Sequence, residues 1–197
     1  DPLTDHGSAD ELLGFVEGAP GWLAASVTFC SRCGARLTFG IVASKFNKFV
    51  TSRLLTECVK ALTKAGVTDE AIEVVRVPGA FEIPLVARQL ARSGRFDAVI
   101  CLGAVIRGDT PHFEYISTEV SRGILQASMD SNIPVIFGVL TTDTVAQAIE
   151  RADPEKLNRG ADVAKTAIEM VNVMRLLKKE GSGEAPQPAT PSRRAGR

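Results

Sequence analysis

Asp97-Ala98-Val99-Ile100-Cys101-Leu102-Gly103-Ala104-Val105-Ile106-Arg107-Gly108-Asp109-Thr110-Pro111-His112-Phe113 is the stretch whose reading decides the fold. Its first part, Asp97 to Gly103, is apolar at nearly every position. A strand with one wet face alternates apolar with polar, so a short continuous apolar run predicts a strand covered on both faces, as in a parallel sheet. From Phe113 to Ser131 the period lengthens, and Ile116, Val120, Ile124 and Ala127 fall on one helical face. Between strand and helix lie Gly108, Thr110 and Pro111, a composition suited to a turn that opens a helix.

The same alternation continues on either side. Thr38–Ser44, Ile72–Val77 and Pro134–Leu140 are further compact apolar runs and predicted strands. Predicted helices cover Thr51–Ala65, Phe81–Arg92, Thr144–Ala152 and Ala161–Lys179. In the first of these, Leu54, Leu55, Cys58, Val59 and Leu62 share a face and Gly66 stops the helix. The second has Pro84 in its first turn, where a missing N–H costs least. The last carries Val163, Ala167, Met170, Val171 and Met174 at helical spacing. Strands alternating with helices predict an α/β domain over residues 38–180, its four-stranded parallel sheet covered on both faces and its crossovers right-handed. Ligands of such sheets bind outside the carboxyl ends of the strands. Chemistry is therefore sought after Ser44, Val77, Gly103 and Leu140.

The flanks read differently. Residues 1–37 hold no sustained period and are expected to form a loosely ordered arm, with Leu12 to Val16 as a short strand. Residues 181–197, rich in Gly, Ser, Pro and Ala with Arg193, Arg194 and Arg197, are expected to be a disordered tail. Across the chain 23 basic side chains balance 23 acidic ones, which removes any general attraction to nucleic acid. No apolar run approaches the span of a bilayer, so no membrane partner is expected. Cys58 and Cys101 fall in a predicted helix and a predicted buried strand. They read as core residues of a protein in a reducing compartment, which points to the cytoplasm. Cys30 and Cys33 form a CxxC pair, half of a zinc site. The chain's histidines, His6 and His112, do not supply a matching second pair, so no metal is expected. The common nucleotide motifs and the Ser or Cys nucleophile signatures are absent.

The strand ends carry the candidate chemistry. After the first strand comes Ser44-Lys45-Phe46-Asn47, and Phe46 is either a core plug or a stacking platform for a planar ring. After the second comes Gly79-Ala80-Phe81-Glu82-Ile83-Pro84. Glu82 either complements a helix dipole or accepts hydrogen bonds from substrate hydroxyls. After the third, Gly108, Asp109 and Thr110 make an anion-binding turn plausible, and His112 sits at the mouth of the sheet. That position favours proton transfer over a structural role for His112. Arg151 and Arg159, beyond the fourth strand, are either surface charges or planar forks for a phosphate or carboxylate.

Read together, these segments resemble the lumazine synthase family. The matching pieces are Phe46-Asn47, Gly79 to Pro84, Gly103 to Phe113, and Phe137-Gly138-Val139 followed by Thr141-Thr142. Arg151 and the closing helix continue the resemblance, which runs from about Phe39 to Leu177. It implies a flavodoxin-like three-layer sandwich and pentamers, free or built into icosahedral shells, with active sites between neighbouring subunits. It implies a reaction: 5-amino-6-(ribitylamino)uracil condenses with 3,4-dihydroxy-2-butanone 4-phosphate to 6,7-dimethyl-8-ribityllumazine, on the route to riboflavin. That reaction has no redox step and requires no cofactor. Riboflavin synthase, which acts next on that route, enters as a partner on the same ground.

The resemblance also implies roles. Phe46 stacks on the pyrimidine; Ala80, Phe81 and Glu82 hold the ribityl side; Ala104, Val105 and Ile106 line the pyrimidine. Asp109 and Thr110 present the phosphate turn, and His112 transfers protons. Phe137 and the phosphate-binding Arg151 come from the neighbouring subunit, and Asp162 falls where the family often has a carboxylate near the histidine. Two departures stand out. Arg159 occupies a position where the family commonly has Lys. The amino-terminal arm is longer than usual: Phe15-Val16-Glu17-Gly18 resembles the family's opening strand, but Ala19 to Arg36 intervenes before Phe39.

Overall fold

The computed structural model describes residues 37–181, with side chains described through residue 178. The expectations for the arm, for Cys30 and Cys33 and for the tail lie outside the described residues.

Four strands and five helices alternate along the chain: β1 (Phe39–Ser44), α1 (Lys48–Lys64), β2 (Ile72–Val77), α2 (Ile83–Arg92), β3 (Ala98–Ile106), α3 (His112–Ser131), β4 (Val135–Thr142), α4 (Val145–Ala152) and α5 (Arg159–Gly181). A 3-10 turn at Asp69–Ala71, not predicted, leads into β2. The sheet is wholly parallel, in the order β2-β1-β3-β4. This is the doubly wound order of flavodoxin-like folds, and its centre is β1 and β3.

Side-chain alternation in β3 builds both cores. Ile100, Leu102 and Ala104 pack with Leu54, Cys58 and Leu62 of α1 and with Ala164, Ala167 and Val171 of α5. Val99, Cys101 and Val105 pack on the other face with Ile83 and Ala87 of α2 and Val120 and Ile124 of α3. A strand that feeds two cores must be apolar throughout, which is why its sequence shows no alternation. Cys58 and Cys101 are both fully buried, as expected. Burial pushes the Cys58 thiol up to about 12 and raises Cys101 further, because a thiolate there would be stripped of water.

Three boundaries differ from the sequence reading in ways that bear on the site. β3 continues past Gly103 to Ile106, because β4 pairs with it as far as Ile106 opposite Thr142. Ala104, Val105 and Ile106 are therefore strand residues. α1 starts at Lys48 rather than Thr51, since Asn47 takes a left-handed conformation (φ 54°) and its carbonyl accepts the first helical bonds from Val50 and Thr51. α2 starts at Ile83 rather than Phe81. There the Glu82 carboxylate bends back to accept the Gly79 N–H at 2.8 Å, and the Ile83 N–H donates to the Ala80 carbonyl at 3.1 Å. This tight turn delays the helix and leaves Phe81 outside it.

Candidate active site

The carboxyl ends of β1, β2 and β3 open into one cleft of about 710 Å³. Its walls include Phe46 and Asn47 after β1, Gly79 to Glu82 after β2, and Ala104, Val105 and Ile106 at the end of β3. Gly108, Thr110, His112, Phe113 and Ile116 complete it. The sequence named most of these residues from three separate segments, and the fold brings them together.

Phe46 is 69% exposed and lines the cleft, so the core-plug reading fails. Its backbone is pinned: the Phe46 N–H donates to the Pro78 carbonyl at 3.0 Å, and the Lys45 N–H to the Val77 carbonyl at 2.8 Å. The Asn47 side-chain amide donates to the Ala104 carbonyl at 2.9 Å, tying this loop to β3. An aromatic ring held at a cleft wall by its backbone, with its face free, suits stacking on a flat heterocycle. Glu82 has one oxygen on the Gly79 N–H, which leaves its other oxygen to accept from a ligand. His112 is the first residue of α3, on the cleft wall and exposed to solvent. No hydrogen bond to its ring exists among the described residues, so both ring nitrogens are open to a ligand in the cleft. Thr110 and Gly108 line the cleft, whereas Asp109, on the same turn, is exposed and does not.

Phe137, Arg151, Arg159 and Asp162 are not in this cleft. They form a separate groove of about 340 Å³ over β4, α4 and α5. Phe137 is 44% exposed there. One Arg151 nitrogen donates to the Gln147 carbonyl at 3.2 Å, and Arg159 pairs with Asp162 at 3.3 Å. Lys165 lies 3.9 Å from the other Asp162 oxygen. The groove thus presents a phenyl ring beside two guanidinium groups, an arrangement that can receive a flat ring and an anion. The cleft and the groove share no residue.

Sequence reasoning did not single out Arg107, Glu114 and Asp143. Arg107 donates through Nε to Asp143 at 2.7 Å and through Nη1 to Glu114, and its guanidinium carbon lies 4.2 Å from the centroid of the Phe113 ring. These bonds raise the Arg107 pKa, Asp143 contributing most, and the Arg107 hydrogen bond holds Glu114 below the usual carboxylate range. Asp143 is 36 residues from Arg107, beyond the reach of any local pattern.

Comparison with known proteins covers this whole region. The family model described as 6,7-dimethyl-8-ribityllumazine synthase matches residues 36–175. The chain belongs to this family. Among its lumazine synthase relatives is a protein named 6,7-dimethyl-8-ribityllumazine synthase from Syntrophus aciditrophicus (strain SB). The two are 61% identical over 139 residues, which is 71% of this chain and 90% of that protein. Every residue of the cleft and of the groove lies inside the stretch that matches the lumazine synthase model.

Proposed function

We infer that this chain is a lumazine synthase that condenses 5-amino-6-(ribitylamino)uracil with 3,4-dihydroxy-2-butanone 4-phosphate, releasing phosphate and water. The observation that carries the reading is the cleft itself. A free aromatic face at Phe46, a half-free carboxylate at Glu82 and an imidazole at His112 converge at the carboxyl ends of the strands, in a chain of that family.

The proposed mechanism gives each wall its own role. Phe46 stacks on the pyrimidinedione, whose edge meets Ala104, Val105 and Ile106. Ala80, Phe81 and Glu82 hold the ribityl chain, with the free Glu82 oxygen accepting from its hydroxyls. The turn bearing Asp109 and Thr110, beside the start of α3, takes the phosphate, since unpaired helix N–H groups favour an anion. The substrate amine attacks the ketone, water leaves to give an imine, phosphate departs, and ring closure expels a second water. Each step moves protons near neutral pH, the range in which an imidazole works as both acid and base, and His112 is the group placed to do it. Aligning two polyfunctional substrates accounts for much of the remaining rate.

In this reading the site is completed across an interface. Phe137 and Arg151 of a neighbouring copy close over the cleft, Phe137 covering the ring and Arg151 clamping the phosphate; Arg159 and Asp162 of that copy lie beside them. Support comes from their placement in a groove separate from the cleft and from the apolar surface left on α2 and α3: Leu85, Tyr115, Leu125 and Met129 are each at least 65% exposed. The proposed assembly is a pentamer, alone or as the unit of an icosahedral shell, working in the cytoplasm upstream of riboflavin synthase. The test is direct. Purified protein mixed with both substrates should generate the absorbance of the lumazine and one phosphate per turnover. Folded, assembled protein that yields neither refutes the reading.

A further inference from the structure

Arg107 ties together three segments that are distant in sequence. It follows the last residue of β3, and its own N–H donates to the Thr142 carbonyl at 2.9 Å, which fixes its backbone to the end of β4. Its side chain turns across the mouth of the sheet. Nε meets Asp143 in the loop after β4, Nη1 meets Glu114 in the first turn of α3, and the guanidinium plane lies over Phe113. The residues it holds on α3, Phe113 and Glu114, directly follow His112.

The turn between has little else to fix it. Gly108 has open space around it, and α3 starts without a side-chain cap. The Glu114 N–H to the Pro111 carbonyl, at 3.2 Å, is the backbone bond that closes it. Arg107, Glu114 and Asp143 are all more than 40% exposed, so as ion pairs they add little to stability. A planar fork that grips two carboxylates and a ring fixes direction well, however, and a single ammonium group cannot reproduce that grip.

We propose that Arg107 is a positioning residue. By bracing the start of α3 against the loop after β4, it aims the His112 imidazole into the cleft. The proposal rests on the proton-transfer role inferred above for His112. The hydrogen bond from Arg107 holds Glu114 below the usual carboxylate range, as expected of a paired brace.

A double-mutant cycle tests it. Arg107→Ala should lower kcat on the order of ten- to a hundredfold, as misplacement of a catalytic group does, while KM for the pyrimidinedione changes little. In a His112→Ala background the same change should cost less than about twofold, because there is no imidazole left to aim. Arg107→Lys should recover only part of the lost rate. Equal fold-losses in both backgrounds, or full activity in Arg107→Ala, would overturn the proposal. Crystal structures of the wild type and Arg107→Ala decide the point without turnover: a displaced 108–112 turn with the ring out of the cleft supports positioning, and superimposable turns overturn it. A wild type that makes no lumazine would instead sink the activity reading and leave this structural comparison to stand.

Discussion

Refolding a His112→Ala chain together with an Arg151→Ala chain should raise turnover above that of either mutant alone. Cleft and groove have no residue in common: one lies at the ends of β1, β2 and β3, the other over β4, α4 and α5. Phe137 pairs with Cys101, and the nearest cleft residue on β3, Ala104, lies opposite Leu140. From Phe137 to Leu140 is a run of about 10 Å at the usual rise of a strand, beyond the reach of a phenyl ring of the same chain. The two mutants should each be poor. Losing the charged partner of a phosphate costs about 1.5–3 kcal/mol, at least a tenfold loss, and losing the proton carrier costs as much or more. In a randomly mixed ring, a site is complete when an Arg151→Ala chain supplies the cleft and a His112→Ala chain supplies the groove. With equal amounts of each, that is about one site in four, so activity should approach roughly a quarter of wild type. The mildest background expected of the single mutants is about a tenth, so the gain is measurable. The assay follows lumazine absorbance in co-refolded and separately refolded samples, with mixed assembly verified by native mass spectrometry. Equal activity in the two samples, with mixing verified, would mean that each site is contained in one chain.

Three other outcomes are expected. His112→Ala alone should lower kcat about tenfold to a few hundredfold with little change in substrate binding, because a proton carrier acts mainly in the transition state; steady-state kinetics would show it, and an unchanged kcat would remove His112 from the mechanism. Gly160→Ala should destabilise the fold by about 1–3 kcal/mol, since an added Cβ would lie 2.5 Å from the Leu54 carbonyl oxygen and 3.0 Å from Glu57 Cβ where α5 meets α1; an unaltered melting temperature would contradict that. Peptides bearing Cys58 or Cys101 should resist alkylation in native protein at pH 8 and react once it is unfolded, because a thiol held near 12 or above supplies almost no thiolate there. Rapid native labelling, read by mass spectrometry, would show that the helices open more readily than their packing implies.

Much of this molecule was legible because its signals are local. The unbroken apolar run before Gly103 marked a buried strand, and the switch to helical spacing after Phe113 marked a crossover. Together they point to the strand ends as the place where a ligand would bind. Boundaries failed where a tertiary contact overrode local propensity. Gly103 looks like a strand end because glycine weakens strands. In the fold, its missing side chain makes room for Ile83 and Val139, and a Cβ there would meet Ile83 Cδ1 at 3.0 Å, so β3 runs on. Phe81 looked helical because apolar spacing does not register a carboxylate folding back onto Gly79. The Arg107 brace was invisible for a different reason. Arg107 stood in plain view within a recognised motif, but Asp143 becomes its neighbour only when β4 is laid beside β3.

Gly138 carries a further consequence. A side chain there would run into the Cys101 carbonyl oxygen at 2.7 Å, Leu102 at 2.9 Å and Val163 at 3.1 Å. The absence of a methyl group is therefore what lets β4 lie close to β3 and leaves room for Val163 of α5 above it, at the floor of the groove beside Phe137 and Arg151. Gly138→Ala should push β4 away from the β3 backbone and crowd Val163, changing the groove's floor without altering any charged or aromatic side chain in it. The shape of the groove's floor beneath Phe137 and Arg151 is thus governed by a residue with no side chain.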